Sequence, residues 1–274
     1  MIKLGQRGAA VIELQNLLNR DGAGIATDGI FGKDTLQAVL AYQAKNGLVA
    51  DGIVGDQTLN TLRGVAPTQD RKTLSHSDII EAAETLGVTV PAVLSVTEVE
   101  ARKSGFDRNG NPVVLFERHV FYRQLSKIKG ATFAEQIAQS YPNLCNPKPG
   151  GYLGGAAEYA RLQTAIDIHA QAAKMSASYG LFQLMGFNHA LCEFADVEAF
   201  YDAMHDSESQ QLRAFVHFVR RKENAPMLKA LKAKDWAGFA KMYNGPNYQI
   251  NDYDTKLAAA YRRYQVAYPE LKTA

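Results

Sequence analysis

The sequence predicts a mainly α protein in two parts: a small three-helix bundle, then a larger helix-dominated domain with a small β element. Three observations predict it. The chain has 274 residues, more than one compact core usually holds. Apolar residues recur at helical spacing through most of its length. A Gly-bearing turn motif occurs twice near the N-terminus, each time feeding a helical pattern.

The first helix carries Val11, Leu14, Leu17 and Leu18 on one face. The turn Asp28-Gly-Ile-Phe-Gly32 with Thr35 follows, and it recurs 23 residues later as Asp51-Gly-Ile-Val-Gly55 with Thr58. Glycine at these turns takes positive φ at little cost. Between the copies, Lys33 to Asn46 places Leu36, Val39, Leu40 and Tyr42 at helical spacing, and Gly47 stops the helix. Residues 1–64 therefore form the bundle. Residues 65–75 are polar, contain Pro67 and lack periodicity, so they read as a linker. Residues 76–274 form the second domain. Ser75 to Ser77 offer N-caps for a helix holding Ile79, Ile80, Ala83 and Leu86, which Gly87 ends. Beyond it, Pro112 to Glu117 is the one convincing strand, and the rest is helical.

Hydrophobic residues make up 46% and charged residues 21%, a globular composition. A net charge of +2 argues against a dedicated nucleic-acid binder. The charge is uneven, because Arg213 to Lys241 holds eight basic residues against Glu223 and Asp235, a net +6. That stretch is a solvated helix face, or a patch drawn to an anionic outer membrane. Cys145 and Cys192 are expected to be free thiols. The N-terminus shows no signal-peptide core, and no run is long enough for a membrane span, so synthesis in the cytoplasm is expected. No zinc HExxH, P-loop or GxSxG elbow occurs. His189 and Cys192 are spaced for a metal, but two ligands do not make a site. No metal and no cofactor is expected, and the chain is expected to be a monomer.

The helix after Pro91 holds two glutamates, Glu98 and Glu100. Two residues apart on a helix is about 200°, so they face different ways. Glu100 falls with Val93, Val96 and Val99 on the apolar stripe, and Glu98 points away. Desolvation there would raise the pKa of Glu100 and keep it protonated near neutrality, as a general acid requires. The plain alternative is a rim glutamate paired with Arg102 or Lys103.

Two resemblances bear on this. Gly8, Val11, Leu14-Gln15, Leu18, the two Asp-Gly-Ile turns, Thr35, Gln43, Gly47-Leu48, Thr58 and Leu62 resemble, in order, the peptidoglycan-binding domain of many wall hydrolases. That likeness implies wall binding, with Asp28, Phe31, Tyr42, Gln43 and Asp51 as residues of the binding module. Glu100, Ser104-Gly-Phe106, Leu115-Phe-Glu-Arg-His119, Ser176-Ala-Ser-Tyr-Gly-Leu-Phe-Gln-Leu-Met-Gly-Phe-Asn188 and Tyr243-Asn-Gly245 resemble the lysozyme superfamily, and more narrowly the N-acetylmuramidase domain of modular phage endolysins. This second likeness implies a lysozyme-like α+β domain, with Glu100 as catalytic acid. It implies a cleft lined by Ser178, Gln183, Tyr243 and Asn244, with His119 in its wall and Phe116, Tyr179 and Tyr243 covering sugar faces. Ala101 stands where animal lysozymes commonly carry Ser. A hydrolase needs a second carboxylate: Glu117 is the first candidate, Asp107 the second. Glu117 could instead pair with Arg118 or hold the strand end. The expected reaction is hydrolysis of the β-1,4 bond between N-acetylmuramic acid and N-acetylglucosamine. The rivals are a lytic transglycosylase, which needs one acid only, and a wall-binding protein with an inactive domain. An endolysin would reach the periplasm after holin-type release.

Overall fold

The structure is a computed structural model that describes residues 1–64, 72–100, 104–246 and 248–268. The helices are α1 (Ala9–Arg20), α2 (Lys33–Lys45), α3 (Asp56–Leu62), α4 (His76–Leu86) and α5 (Val90–Glu100), then, after strand β1 (Val114–Phe116), α6 (Arg118–Lys129), α7 (Ala131–Ser140) and α8 (Ala156–Met175). Strands β2 (Ala177–Tyr179) and β3 (Leu184–Met185) follow, then α9 (Val197–Asp206), α10 (Glu208–Arg220), α11 (Ala225–Ala233), α12 (Trp236–Asn244) and α13 (Tyr253–Ala267). Mainly α with one small sheet is the class expected. The chain divides into two compact units. One is Met1–Val96 with Ala230–Ala274, and the other is Thr97–Lys229.

The first unit holds the repeated turns, and each copy builds the same polar staple. The Gln15 amide nitrogen donates to Asp28 Oδ1 (2.8 Å), the Ile30 carbonyl (3.1 Å) and Thr35 Oγ1 (3.0 Å), while its oxygen accepts from Gly29 N–H (2.9 Å). Gln43 repeats this with Asp51 (2.9 Å), Ile53 (3.0 Å), Thr58 (3.2 Å) and Gly52 (2.9 Å). A buried amide makes sense only when its donors and acceptors are filled, and here they are. The motif is therefore a folding device: glutamine on a helix fastens the following turn and the start of the next helix. Val11, Leu14, Leu18, Phe31, Leu36, Val39, Leu40, Tyr42, Ala50 and Val54 pack beneath the staples.

Ala267 at the end of α13 joins that same core, and Tyr268 packs against it. The Tyr268 hydroxyl donates to the Ala50 carbonyl, and its ring stacks on His76 at 6.2 Å. The C-terminal segment thus shares a core with the N-terminal bundle, which the periodicity of α13 could not reveal. Helix α4 forms as its caps predict. Ser75 and Asp78 make a reciprocal capping box, and Gly87 closes the helix at φ +62°. Most of the expected linker, residues 65–71, lies outside the described residues; at its end, Leu74 is buried and Thr73 accepts from Gln57 (3.0 Å).

The second unit is organised around an antiparallel sheet in the order β1-β2-β3, pairing Leu115 with Ser178 and Ser178 with Met185. Strand β1 is three residues long, shorter than the Pro112–Glu117 expected, because Pro112 and Phe106 form only an isolated bridge ahead of it. Phe116, Phe121, Leu125, Leu162 and Ala165 are buried around it, and Tyr179, Phe200 and Phe215 extend the core.

Candidate active site

The helix of Glu100 is buried on all sides from Ala92 to Val96, and Val99 is buried too. Glu98 and Glu100 are both half-buried, so exposure does not separate them as their angular spacing suggested. The carboxylate of Glu208, at the start of α10, fixes the chain just past Glu100. Its Oε1 accepts from Ser104 Oγ (2.8 Å) and from Gly105 N–H (2.7 Å). The Gly105 carbonyl in turn accepts from Val113 N–H (2.8 Å), at the approach to β1.

One turn along α10, buried Gln211 ties in the β2–β3 turn. It accepts from Leu181 N–H (2.8 Å) and donates to the Met204 carbonyl (2.9 Å). Gly105 and Gly180 both lie against it: a Cβ would come within 2.1 Å of Gln211 Oε1 at Gly105 and 2.3 Å of Gln211 Cδ at Gly180. Glu208 and Gln211 are three apart and share a helix face. Together they hold both the segment following Glu100 and the Ser178–Gln183 hairpin. Neither stood out in the sequence, because a polar residue on a helix gives no sign of its burial.

The hairpin brings Ser178 and Gln183 together: Ser178 Oγ donates to Gln183 Oε1 (2.8 Å). The Gln183 amide nitrogen donates to the carbonyls of Gly180 (2.8 Å) and Val113 (3.1 Å). Gln183 is exposed and sits at φ +47°, a left-handed conformation that costs a side-chain-bearing residue about 1–2 kcal/mol.

Glu117 follows β1 and is the N-cap residue of α6. Its backbone N–H donates to the Ser176 carbonyl (2.9 Å). The Tyr152 hydroxyl donates to Glu117 Oε2 (2.8 Å), and His119 Nδ1 stands 3.1 Å from the same oxygen. Burial, and then the bond to Glu117, pushes the Tyr152 phenol above its usual range. Arg118 is not the partner of Glu117, because its guanidinium donates to the carbonyls of Lys148 (3.0 Å), Pro149 (2.9 Å) and Pro142 (3.4 Å). Asp107 serves its own turn, accepting from Asn109 N–H (2.8 Å) and Asn111 N–H (3.0 Å) through Oδ1.

A buried ion pair stands behind β1. Glu158 Oε2 meets Arg161 Nη1 at 2.6 Å and accepts from Phe116 N–H (3.3 Å), and Oε1 accepts from Leu153 N–H (2.5 Å) and Gly154 N–H (3.0 Å). Arg161 also donates to the carbonyls of Phe116 (3.2 Å) and Asn143 (2.6 Å). Burial alone would raise the Glu158 carboxyl. The backbone N–H bonds from Gly154 and Leu153, with Arg161, outweigh burial and hold it below its usual range.

Several expected contacts are corrected by burial. Phe116 is fully inside, against Phe121 and the Arg161 guanidinium. Tyr179 is equally buried: its hydroxyl donates to the Lys174 carbonyl (3.0 Å), and its ring meets Phe200 and Tyr201 edge-on. Neither ring can cover a sugar. Phe31 and Gln43 are likewise interior, and Asp28 and Asp51 spend Oδ1 on the staples. Tyr42 lines a cavity of roughly 500 Å³ with Asp21, Asp34, Gln37 and Lys45. Tyr243, stacked on Phe239 at 5.8 Å, and Asn244 are half-buried at the end of α12, which belongs to the other unit. His189 faces the Gly186 carbonyl (3.1 Å), and among the described residues no cluster of three or more metal-ligating side chains occurs. Both cysteines are free and buried, which pushes their thiols up to about 11 at Cys145 and about 12 at Cys192.

Comparison with known proteins places these features. The family model described as "N-acetylmuramidase" matches residues 89–265, and that described as "Putative peptidoglycan binding domain" matches residues 7–62. The solved structure titled as the endolysin of Burkholderia AP3 phage is 46% identical, covers 97% of this chain and 98% of its own, and superposes with a TM-score of 0.87. With the family matched over most of its length, the chain belongs to the N-acetylmuramidases, here joined to an N-terminal domain of the peptidoglycan-binding type.

Proposed function

We propose that this chain is an endolysin that hydrolyses the β-1,4 bond between N-acetylmuramic acid and N-acetylglucosamine in bacterial peptidoglycan. The observation that carries this is the N-acetylmuramidase match across residues 89–265. Glu100 gives its proton to the leaving oxygen, and Glu117 takes a proton from the attacking water. An inverting pair of this kind stands about 6.5–9.5 Å apart, leaving room for that water. Tyr152 and His119 support Glu117 in the role, since both approach Oε2 and leave Oε1 for water. Ser178, Gln183, Tyr243 and Asn244 serve the sugar through hydroxyl and amide groups.

Residues 1–64 hold the enzyme on the insoluble wall, residues 65–75 link, and residues 76–274 cut. Wall binding raises the effective concentration of the catalytic part at its substrate. In this reading the chain acts as a monomer on periplasmic peptidoglycan after holin-type release from the cytoplasm. The exposed Arg213, Arg220, Lys222, Lys229, Lys232, Lys234 and Lys241 add attraction to an anionic outer membrane. Replacing Glu100 by Gln tests the assignment: lysis of purified sacculi is expected to stop while binding and melting temperature hold. Lysis at the parent rate would remove Glu100 from the mechanism.

A further inference from the structure

The loop 146–155 lies beside Glu117 and outside the sequence motifs of the site. It carries Pro147, Pro149 and four glycines, a composition that usually marks a loose connection. Here it is fastened at both ends. Arg118 holds the carbonyls of Lys148 and Pro149, and Glu158 holds the N–H groups of Leu153 and Gly154. Gly150 and Gly151, at φ +107° and +76°, let the backbone lie on Arg118; a Cβ at Gly151 would stand 3.1 Å from the guanidinium. Glu158 is itself held by Arg161.

All this polar fastening leaves two large apolar side chains in solvent. Leu153 is 69% exposed and Tyr152 is 47% exposed. Apolar groups on a floppy loop cost nothing and mean little, but apolar groups fixed on a pinned loop keep their exposed surface. A preordered surface of this kind binds without a large ordering cost. Its place names the occupant, because the Tyr152 hydroxyl bonds the Glu117 carboxylate at 2.8 Å. Whatever lies on Tyr152 is continuous with what Glu117 addresses, and Leu153 is the next residue along the loop.

We propose that Tyr152 and Leu153 form a subsite that takes one sugar ring of the peptidoglycan glycan strand, with the apolar C–H face of the ring on the tyrosine and leucine. The proposal rests on the reading of Glu117 as part of the hydrolytic site. Arg118, Glu158 and Arg161 are then positioning residues for the subsite, because they act through the loop.

The test uses the full chain and soluble, peptide-free glycan strands, with release of reducing ends as the readout. Leu153→Ser and Tyr152→Ala are each expected to raise KM about tenfold, an apolar-contact loss of the size expected for part of one side chain. Leu153→Ser is expected to hold kcat within twofold, and Tyr152→Phe to hold KM. Should Tyr152→Ala fold poorly, Leu153→Ser decides alone, since that side chain lies outside the core. An unchanged KM in Leu153→Ser would overturn the subsite, as would a fall in kcat alone. A parent enzyme that releases no reducing ends would overturn the hydrolase reading first, and the subsite with it.

Discussion

Replacing Arg161 by Met removes the cation from the Glu158–Arg161 clamp while keeping an apolar side chain of similar length. Breaking a buried pair from one side costs about 3–5 kcal/mol, because the remaining charge is uncompensated. Glu158 would keep three backbone N–H donors, from Phe116, Leu153 and Gly154, which sets its share near the low end, about 3 kcal/mol. The carbonyls of Phe116 and Asn143 would each lose a donor, adding about 1 kcal/mol or less apiece. The expected loss is about 4 kcal/mol, or roughly 8–16 °C in the melting temperature of a chain this size. The pH profile adds a second readout. The folded carboxyl of Glu158 sits below its ordinary value, so its contribution is present above that ordinary value and fades as pH falls through the folded one. Without Arg161 the depression shrinks, and the acid limb of the stability profile flattens. Adding Glu158→Gln to Arg161→Met removes the orphaned charge and is expected to recover about 2 kcal/mol. The assays are thermal melts and urea titrations from pH 3 to 8. A single variant that costs under about 1 kcal/mol, or a double variant no more stable than the single, would refute the clamp as drawn.

Three further outcomes follow from the same geometry. Gly186→Ala would put a Cβ 2.0 Å from the Lys174 carbonyl oxygen, which is backbone and cannot swing aside; a loss of at least about 3 kcal/mol is expected in a melt, and a near-parent melt would contradict the packing. Gln43→Leu would orphan the Gly52 N–H and the Thr58 side of its staple, costing roughly 2–4 kcal/mol by urea titration, and it should weaken sacculus binding only where the bundle unfolds. Cys145 and Cys192, buried with raised thiol values, should resist alkylation at pH 8 until urea unfolds the chain; prompt labelling of the native protein would show an opening the structure lacks.

What the sequence disclosed follows the range of the forces involved. Helix α4 was legible because its N-cap at Ser75 and its stop at Gly87 each act on the turn beside them. The repeated turns were legible as repeats, but the sequence did not show that Gln15 and Gln43 organise them, since that role lies across 13–20 residues and 8–15 residues respectively. Strands β2 and β3 were missed, being three and two residues long with Gly180 and Gln183 at positive φ between them, too short for an alternating pattern. Glu158-Tyr-Ala-Arg161 looks like any exposed helix pair three apart, and only tertiary packing buries it. For the same reason Tyr152 was invisible as a partner of Glu117, 35 residues away. The aromatic motif residues Phe116 and Tyr179 misled in the opposite direction, because a motif does not say which of its rings face in.

Mass spectrometry of the soluble fragments released from purified peptidoglycan tests the central claim most directly. Reducing N-acetylmuramic acid ends are predicted, since water delivered by a second carboxylate leaves a free hemiacetal. Fragments ending in 1,6-anhydromuramic acid would contradict the account: the sugar's own hydroxyl would have replaced water, and Glu117 would need no catalytic role.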